Sequence, residues 1–357
     1  YLLAQTDTII TDSTRITAIV NAGNLYTIAY LRMGNLNPNI ASRLGISEKL
    51  YFKKPFKYGE VARSIDKILV HYENNGYPFA SVKLDSVLIN GEKLSASLHV
   101  EPNKLYKIDS VKVTGTARIN KKFLYRYLDI SEGMVYNEAT ISSISSKIKQ
   151  LPFLSEIRPP EAMLSDKNNK IIIFLDKKNA SQFDGIIGLL PDADTRKTII
   201  TGDLKLKLVN GILRNGETFD VQWRRLQTQT QDFNGRLIYP YLFGTPVGVD
   251  YNLKIYRRDT TFIDINNNMG LHYYFSGLNY FKIFYNQRNT NLISTSGLDF
   301  VTTLPDYADI TNRAYGLGLV TENYDYRFNP HRGVGLNLSV QTGDRRIRKN
   351  PNINELA

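Results

Sequence analysis

Apolar and polar residues alternate with a period of two through three consecutive segments between Asn179 and Gln341. Phe219, Val221 and Trp223 alternate with Thr218, Asp220, Gln222 and Arg224. Phe233, Leu237, Tyr239 and Tyr241 alternate with Asn234, Arg236 and Pro240, and Val249, Tyr251, Leu253 and Ile255 with Asp250, Asn252 and Lys254. A period of two predicts strands with one apolar and one polar face. The polar face carries charges and amides on strand after strand, and the opposite face is rich in aromatics. This is the pattern of a membrane β-barrel with lipid outside and a wet lumen. Extended over the region, it predicts nine strands at 183–190, 199–208, 217–226, 232–241, 248–257, 266–275, 280–289, 313–322 and 333–341. Each is close to the ~9–11 residues that cross a bilayer.

The first half reads differently. A strand at 25–33 is followed by Asn37-Pro38, a helix start. A second helix carries Val61, Ile65, Ile68, Leu69 and Tyr72 on one face and ends at Asn74-Asn75-Gly76. Strands at 80–89 and 93–100 follow, joined at Asn90-Gly91, a two-residue hairpin signal. The same β-α-α-β-β order then repeats: a strand at 106–114, a short helix at 121–128, and a helix capped by Asn137 with Ile141, Ile144, Ile148 and Leu151. Strands at 154–164 and 170–175 complete it. Two units of this kind in series are an internal repeat of domains. Residues 1–23 are Thr-rich with weak strand signals: a tail, a linker, or the end of an upstream module.

The first unit, through Asn74-Asn75-Gly76-Tyr77-Pro78-Phe79-Ala80, resembles a POTRA domain at its helix-to-strand junction. The second does so through Ile108-Asp109-Ser110-Val111-Lys112-Val113-Thr114-Gly115 and through Phe153-Leu154-Ser155. The run Tyr326-Arg327-Phe328-Asn329-Pro330-His331-Arg332-Gly333 resembles a turn entering a strand in the Omp85 superfamily of outer-membrane assembly and export proteins, in which POTRA domains precede a barrel. Residues 25–341 carry the resemblance. It implies α+β POTRA domains at 24–102 and 103–178, then at 179–357 an antiparallel transmembrane β-barrel of which about the first nine strands are present. Gly76, Tyr77, Gly115 and Phe153 are the expected POTRA junction residues, and Pro330, Arg332 and Gly333 those of the periplasmic turn.

The connection pattern agrees with that reading. With the repeats on the periplasmic side, the turns at Asn210-Gly211, Gly244-Thr245-Pro246, Ser276-Gly277 and Pro330–Gly333 fall on that same side and are short. The connections 191–197, 227–231 and 290–311 fall on the other side and are longer in part. Bacterial single-chain barrels have even strand numbers, so nine strands lead to the expectation that the polypeptide continues beyond Ala357 or that another chain completes the barrel.

Composition narrows the chemistry. The 357 residues include no cysteine, which removes disulfides, thiolate chemistry and Cys-ligated metals. The net charge of +11 is spread through strands and loops without a compact basic stripe, so no nucleic-acid partner is expected. His71, His99, His272 and His331 lie in different segments, and no nucleophile elbow, P-loop or dinucleotide fingerprint occurs. No catalytic residue, cofactor or metal is expected. A soluble sandwich would also alternate, but Tyr239, Tyr241, Tyr273 and Tyr280 fall at strand ends, where an interfacial aromatic girdle sits.

The resemblance therefore implies a non-enzymatic outer-membrane assembly factor of a Gram-negative-type bacterium. Its partners would be unfolded outer-membrane protein clients, periplasmic or lipoprotein accessory subunits, and the bilayer. Its first barrel strand, with Phe183, Gly185, Ile187, Gly188 and Leu189, would be the movable half of a lateral gate, because its two glycines weaken packing and pairing. The alternative is a translocator of the two-partner secretion type, which also carries two POTRA domains. A soluble β-rich enzyme or lectin is the third reading, and it predicts solubility without detergent.

Overall fold

The computed structural model describes residues 5–21, 24–191, 198–227, 229–295, 308–325, 329–348 and 350. In chain order its elements begin with the strands β1 (Gln5–Thr11), β2 (Ile16–Asn21) and β3 (Thr27–Arg32). Helices α1 (Pro38–Arg43) and α2 (Tyr58–Glu73) follow, then β4 (Ser81–Asn90), β5 (Lys93–Glu101) and β6 (Ser110–Thr114). Helices α3 (Lys121–Leu128) and α4 (Glu138–Lys149) precede β7 (Leu154–Met163) and β8 (Lys170–Lys177). The chain forms two compact units, one of Tyr1–Ser110, Glu132–Ser142 and Ala162–Lys170, the other of Val111–Ser131, Ser143–Glu161 and Ile171–Ala357.

In the first unit β1 and β2 pair as an exposed antiparallel ribbon, more structure than the weak strand signals of residues 1–23 predict. The following sheet has the order β3-β5-β4, with β3 parallel to β5 and β4 antiparallel to it. Leu94, Ala96, Leu98 and Val100 alternate along β5 and are buried together with Ile28, Leu31, Val61 and Ile68. Asn37 caps α1, its side chain accepting from Asn39 N–H at 2.9 Å, and Pro38 occupies the first turn. Asn90 pairs with Lys93, so the hairpin turn is Gly91-Glu92, one residue later than the sequence signal places it. The left-handed position falls on the glycine, with φ +57.

The second three-stranded sheet has the same order, β6-β8-β7. Phe123, Leu124, Tyr127 and Leu128 of α3 are buried, as are Ile144 and Ile148 of α4 and Ile171, Ile173 and Leu175 of β8.

From Gln182 the chain becomes a meander: β9 (Gln182–Pro191), β10 (Thr198–Val209), β11 (Thr218–Arg225), β12 (Gln231–Tyr239), β13 (Val247–Arg258), β14 (Phe262–Ser276), β15 (Asn279–Leu292), β16 (Ile310–Tyr324) and β17 (Gly333–Ile347). All nine form one antiparallel sheet in sequence order, an open part of a barrel. Strands β14 to β17 are 14 or 15 residues long, beyond the predicted spans. The predicted strand begins inside the polar run Asn266-Asn267-Asn268, where the alternation fades, and β14 extends beyond it to Phe262 in a hairpin with β13. The connection from β13 to β14 is correspondingly short.

Candidate functional site

The register shows what each face of the large sheet is. One row across all nine strands reads Asp184, Lys205, Gln222, Asn234, Lys254, Asn266, Arg288, Asn312 and Arg345, with no apolar residue in it. On this face Arg224 pairs with Asp203 at 3.0 Å and Arg288 with Asp264 at 2.8 Å. Among the described residues the Oδ1 atoms of Asp232, Asn234, Asn266 and Asn268 have no protein partner, so water is the natural partner for them. The other face is the reverse: Phe183, Ile200, Leu271, Ile283, Leu317, Val334 and Val340 are all exposed large hydrophobics. Apolar side chains outward and charges inward is the arrangement of a lipid-facing barrel wall.

The apolar band also slides from strand to strand. The row through Leu204 runs by Trp223, Phe233, Ile255, Ile265, Asn289 and Thr311 to Arg346 on β17. On β17 the apolar run is Val334, Leu336, Leu338 and Val340, centred near Asn337. A displacement of about nine residues over about seven strand steps corresponds to a strand tilt of about 40°, at about 3.4 Å per residue and about 4.8 Å between strands.

The first strand sits at one edge. Among the described residues β9 pairs with β10 alone, from Gln182↔Lys207 to Pro191↔Thr198, and Phe183, Gly185, Ile187 and Leu189 are exposed while Gly188 is half-buried. Added methyls would meet Leu204 Cδ2 at 2.5 Å from Gly185 and Thr201 Oγ1 at 3.0 Å from Gly188. The two glycines thus let the backbone and the β10 side chains approach closely while contributing no packing of their own.

Helix α3 meets three turns of the sheet. Asn120 caps it by accepting from Lys122 N–H at 2.9 Å, and Asn120 N–H donates to Arg214 O at 2.8 Å in the β10–β11 turn. Arg126 Nε donates to Gly244 O at 2.8 Å in the β12–β13 turn, and Ser276 Oγ donates to Asp129 Oδ2 at 3.1 Å next to the β14–β15 turn. Tyr241 is the centre of this seat. Its ring lies edge-on to Phe123 at 5.7 Å and stacks on Tyr274 at 4.7 Å, and its hydroxyl donates to Gly277 O. Burial raises the pKa of the Tyr241 hydroxyl well above the ordinary tyrosine range, with Asp129 adding to the effect, so it stays a donor. These contacts put the turns that hold the predicted Asn210-Gly211, Gly244-Thr245-Pro246 and Ser276-Gly277 on the side of α3, the side the sequence assigns to the repeats.

The β10–β11 turn is built around Glu217. Burial works to raise its pKa, but the N–H groups of Asn215, Ile212 and Leu213 donate to the carboxylate at 2.9, 2.9 and 2.8 Å and together hold it below the ordinary range. Asn210 accepts from Gly216 N–H at 2.9 Å and closes the loop.

On the polar face near α3 the structure assembles a group that the scattered histidines do not announce. Gly248 pairs with His272 and Asp250 with Gly270, so the missing side chains let His272 Nε2 lie 3.1 Å from Asp250 Oδ1. Lys282 Nζ is 3.0 Å from Asp250 Oδ2, and Tyr280 stacks on the imidazole at 4.2 Å. Asp250 is 7% and His272 4% exposed. Only the register could reveal this cluster, since its members lie on three strands.

The expected junction residues fall in three places. Gly76 and Tyr77 follow α2, where Tyr106 N–H donates to Gly76 O at 2.8 Å and Tyr77 lies edge-on to Tyr72 at 5.8 Å. Nearby, Asn137 Nδ2 donates to Asn74 O and Asn74 Oδ1 accepts from Ala139 N–H, both at 2.8 Å. Gly115 has φ +120, and a Cβ there would lie 2.1 Å from Leu175 O, so only glycine fits. Phe153 is buried against Phe123 at 6.4 Å. In the turn before β17, Asp325 Oδ1 accepts from His331 and Arg332 N–H, both at 3.1 Å, Pro330 is exposed, and Gly333 has φ +129. Tyr326, Arg327 and Phe328 of that motif lie outside the described residues.

Comparison with known proteins agrees with this geometry. Residues 106–178 match the family model for POTRA, described as surface antigen variable number repeat. CdiB from Acinetobacter baumannii is similar over 96% of this chain and 66% of its own, with a TM-score of 0.50 and 11% identity. BamA from Haemophilus ducreyi lacking POTRA domains 1–3 is similar over 89% of this chain and 64% of its own, with a TM-score of 0.48 and 14% identity. For CdiB from Escherichia coli the shares are 95% and 62%, with a TM-score of 0.46 and 15% identity. No curated protein sequence matches. The chain thus spans less than two thirds of the length of each of these three structures. A POTRA domain followed by an antiparallel barrel sheet defines the class, and this is the fold the chain shares with CdiB from Acinetobacter baumannii.

Proposed function

We propose that the protein is an outer-membrane factor that assembles other β-barrel proteins, with its POTRA units in the periplasm receiving unfolded clients. The observation that carries this is β9: an edge strand with an apolar outer face, two glycines, and hydrogen bonds to β10 alone among the described residues. Such an edge offers a row of backbone donors and acceptors to an incoming strand, which can add by β-augmentation. Lateral opening beside β9 would supply the template, and the POTRA sheets and accessory subunits the delivery. No covalent chemistry is required.

The second reading is export of a partner protein through the lumen. The hydrated, mixed-charge face favours it, and so does the fold likeness to CdiB from Acinetobacter baumannii. Depletion of the protein followed by a survey of the outer membrane separates the two. Loss of many barrel proteins is the assembly outcome. Loss of a single secreted protein, with the barrel proteins intact, would overturn the assembly reading and leave the exporter.

A further inference from the structure

A cavity of about 300 Å³ lies at the base of β9 and β10, lined by Arg118, Lys177, Lys178, Arg214, Ser181 and Gly211 among others. Among the described residues its lining holds four cations and no carboxylate. Among the described residues none of the four side chains is in an ion pair. The nearby acids are committed elsewhere. Asp176 accepts from Thr116 N–H at 2.9 Å and from its hydroxyl at 2.7 Å, and Glu217 is filled by the N–H groups of its own turn. Four like charges around one cavity repel each other and are stabilised by an anion.

What makes the anion a lipid is the loop between Gly211 and Arg214. Its two intervening residues, Ile212 and Leu213, are 65% and 55% exposed. They are not loose, because Glu217 accepts from both of their N–H groups and Asn210 ties the loop shut. A rigid pair of aliphatic side chains beside a cationic cavity suits a ligand with an anionic head and an apolar tail. A free phosphate would have no use for the aliphatic pair. The loop also lies on the α3 side of the sheet, where Arg214 O accepts from Asn120 N–H.

We propose that this cavity binds the phosphodiester headgroup of an anionic glycerophospholipid of the periplasmic leaflet, with Ile212 and Leu213 against its acyl chains. The site rests on the membrane reading above. It would hold lipid at the foot of β9, the strand whose edge must open.

The test uses the full-length protein in detergent and in phosphatidylcholine bilayers with and without phosphatidylglycerol. Retained lipid is counted by native mass spectrometry. The wild type is expected to keep phosphatidylglycerol and release phosphatidylcholine. Lys178→Gln with Arg214→Gln should weaken retention about twenty-five-fold, about fivefold for each charge near a membrane surface. Ile212→Asn with Leu213→Asn should weaken it while leaving binding of inorganic phosphate unchanged. Equal retention of both lipids, or undiminished retention by the charge variant, would overturn the site. So would inorganic phosphate displacing the lipid at equal concentration. Failure to enter bilayers of any composition would instead overturn the membrane reading. A heat-shifted gel band for each variant shows that it has folded.

Discussion

At the scale of single residues, the informative positions are those where backbone and side chain are held together by one group. Glu217 is the clearest. Its folded pKa is depressed, so its contribution to stability is complete above the ordinary carboxylate pKa and disappears as pH falls through the lower folded value. Glu217→Gln should cost about 2 kcal/mol at neutral pH, the scale of charge-assisted bonds to buried N–H groups. The cost should shrink in strongly acidic solution, and denaturant unfolding at the two pH values checks it. Gly115→Val should cost at least about 2 kcal/mol, through both its φ and the carbonyl of Leu175. Thermal unfolding of the variant, with Thr114→Val as a control on the same strand, measures that. Gly115 was legible from the sequence through its motif. The Asp250–His272–Lys282 cluster was not, because it depends on a register that no single strand encodes.

At the scale of elements, the alternation placed all nine strands of the sheet, and the cap signals placed α1 and α4. It placed the outer ends of the long strands poorly. Beyond the apolar band, alternation is no longer required of a strand: the predicted strand starts at Asn266, while residues 262–265 ahead of it also pair as sheet. The seat of α3 was also hidden, since a short helix at 121–128 does not show that its buried Phe123 and Tyr127 also meet Tyr241. Nor does composition show that Tyr241 and Phe243 adopt left-handed backbone at φ 51 and 54. Arg126→Ala should loosen this seat by about 1 kcal/mol, read as faster hydrogen exchange at Gly244 and Thr245. For β9, alternate N–H groups point to β10 and to the open edge. Of Ile186→Pro and Ile187→Pro, one should unpair β10 and impair folding. The other should leave a heat-modifiable barrel but abolish client assembly. If both fold and both assemble clients normally, the edge is not the template.

At the scale of the whole molecule, the exposed apolar face predicts that the protein leaves membranes only with detergent and shows a heat-modifiable band. Infrared dichroism on oriented bilayers should give a strand tilt near the ~40° set by the sliding apolar band. Aqueous extraction without detergent would refute both.

The seat of α3 has a mechanical consequence. One short helix touches the turns after β10, β12 and β14, so it braces the arc between them at its base. Strands inside that arc cannot separate at their lower ends without breaking several hydrogen bonds and unstacking Tyr241 from its neighbours. The compliance of the wall is therefore concentrated in its flanks, and β9, which pairs with β10 alone among the described residues, is one of them.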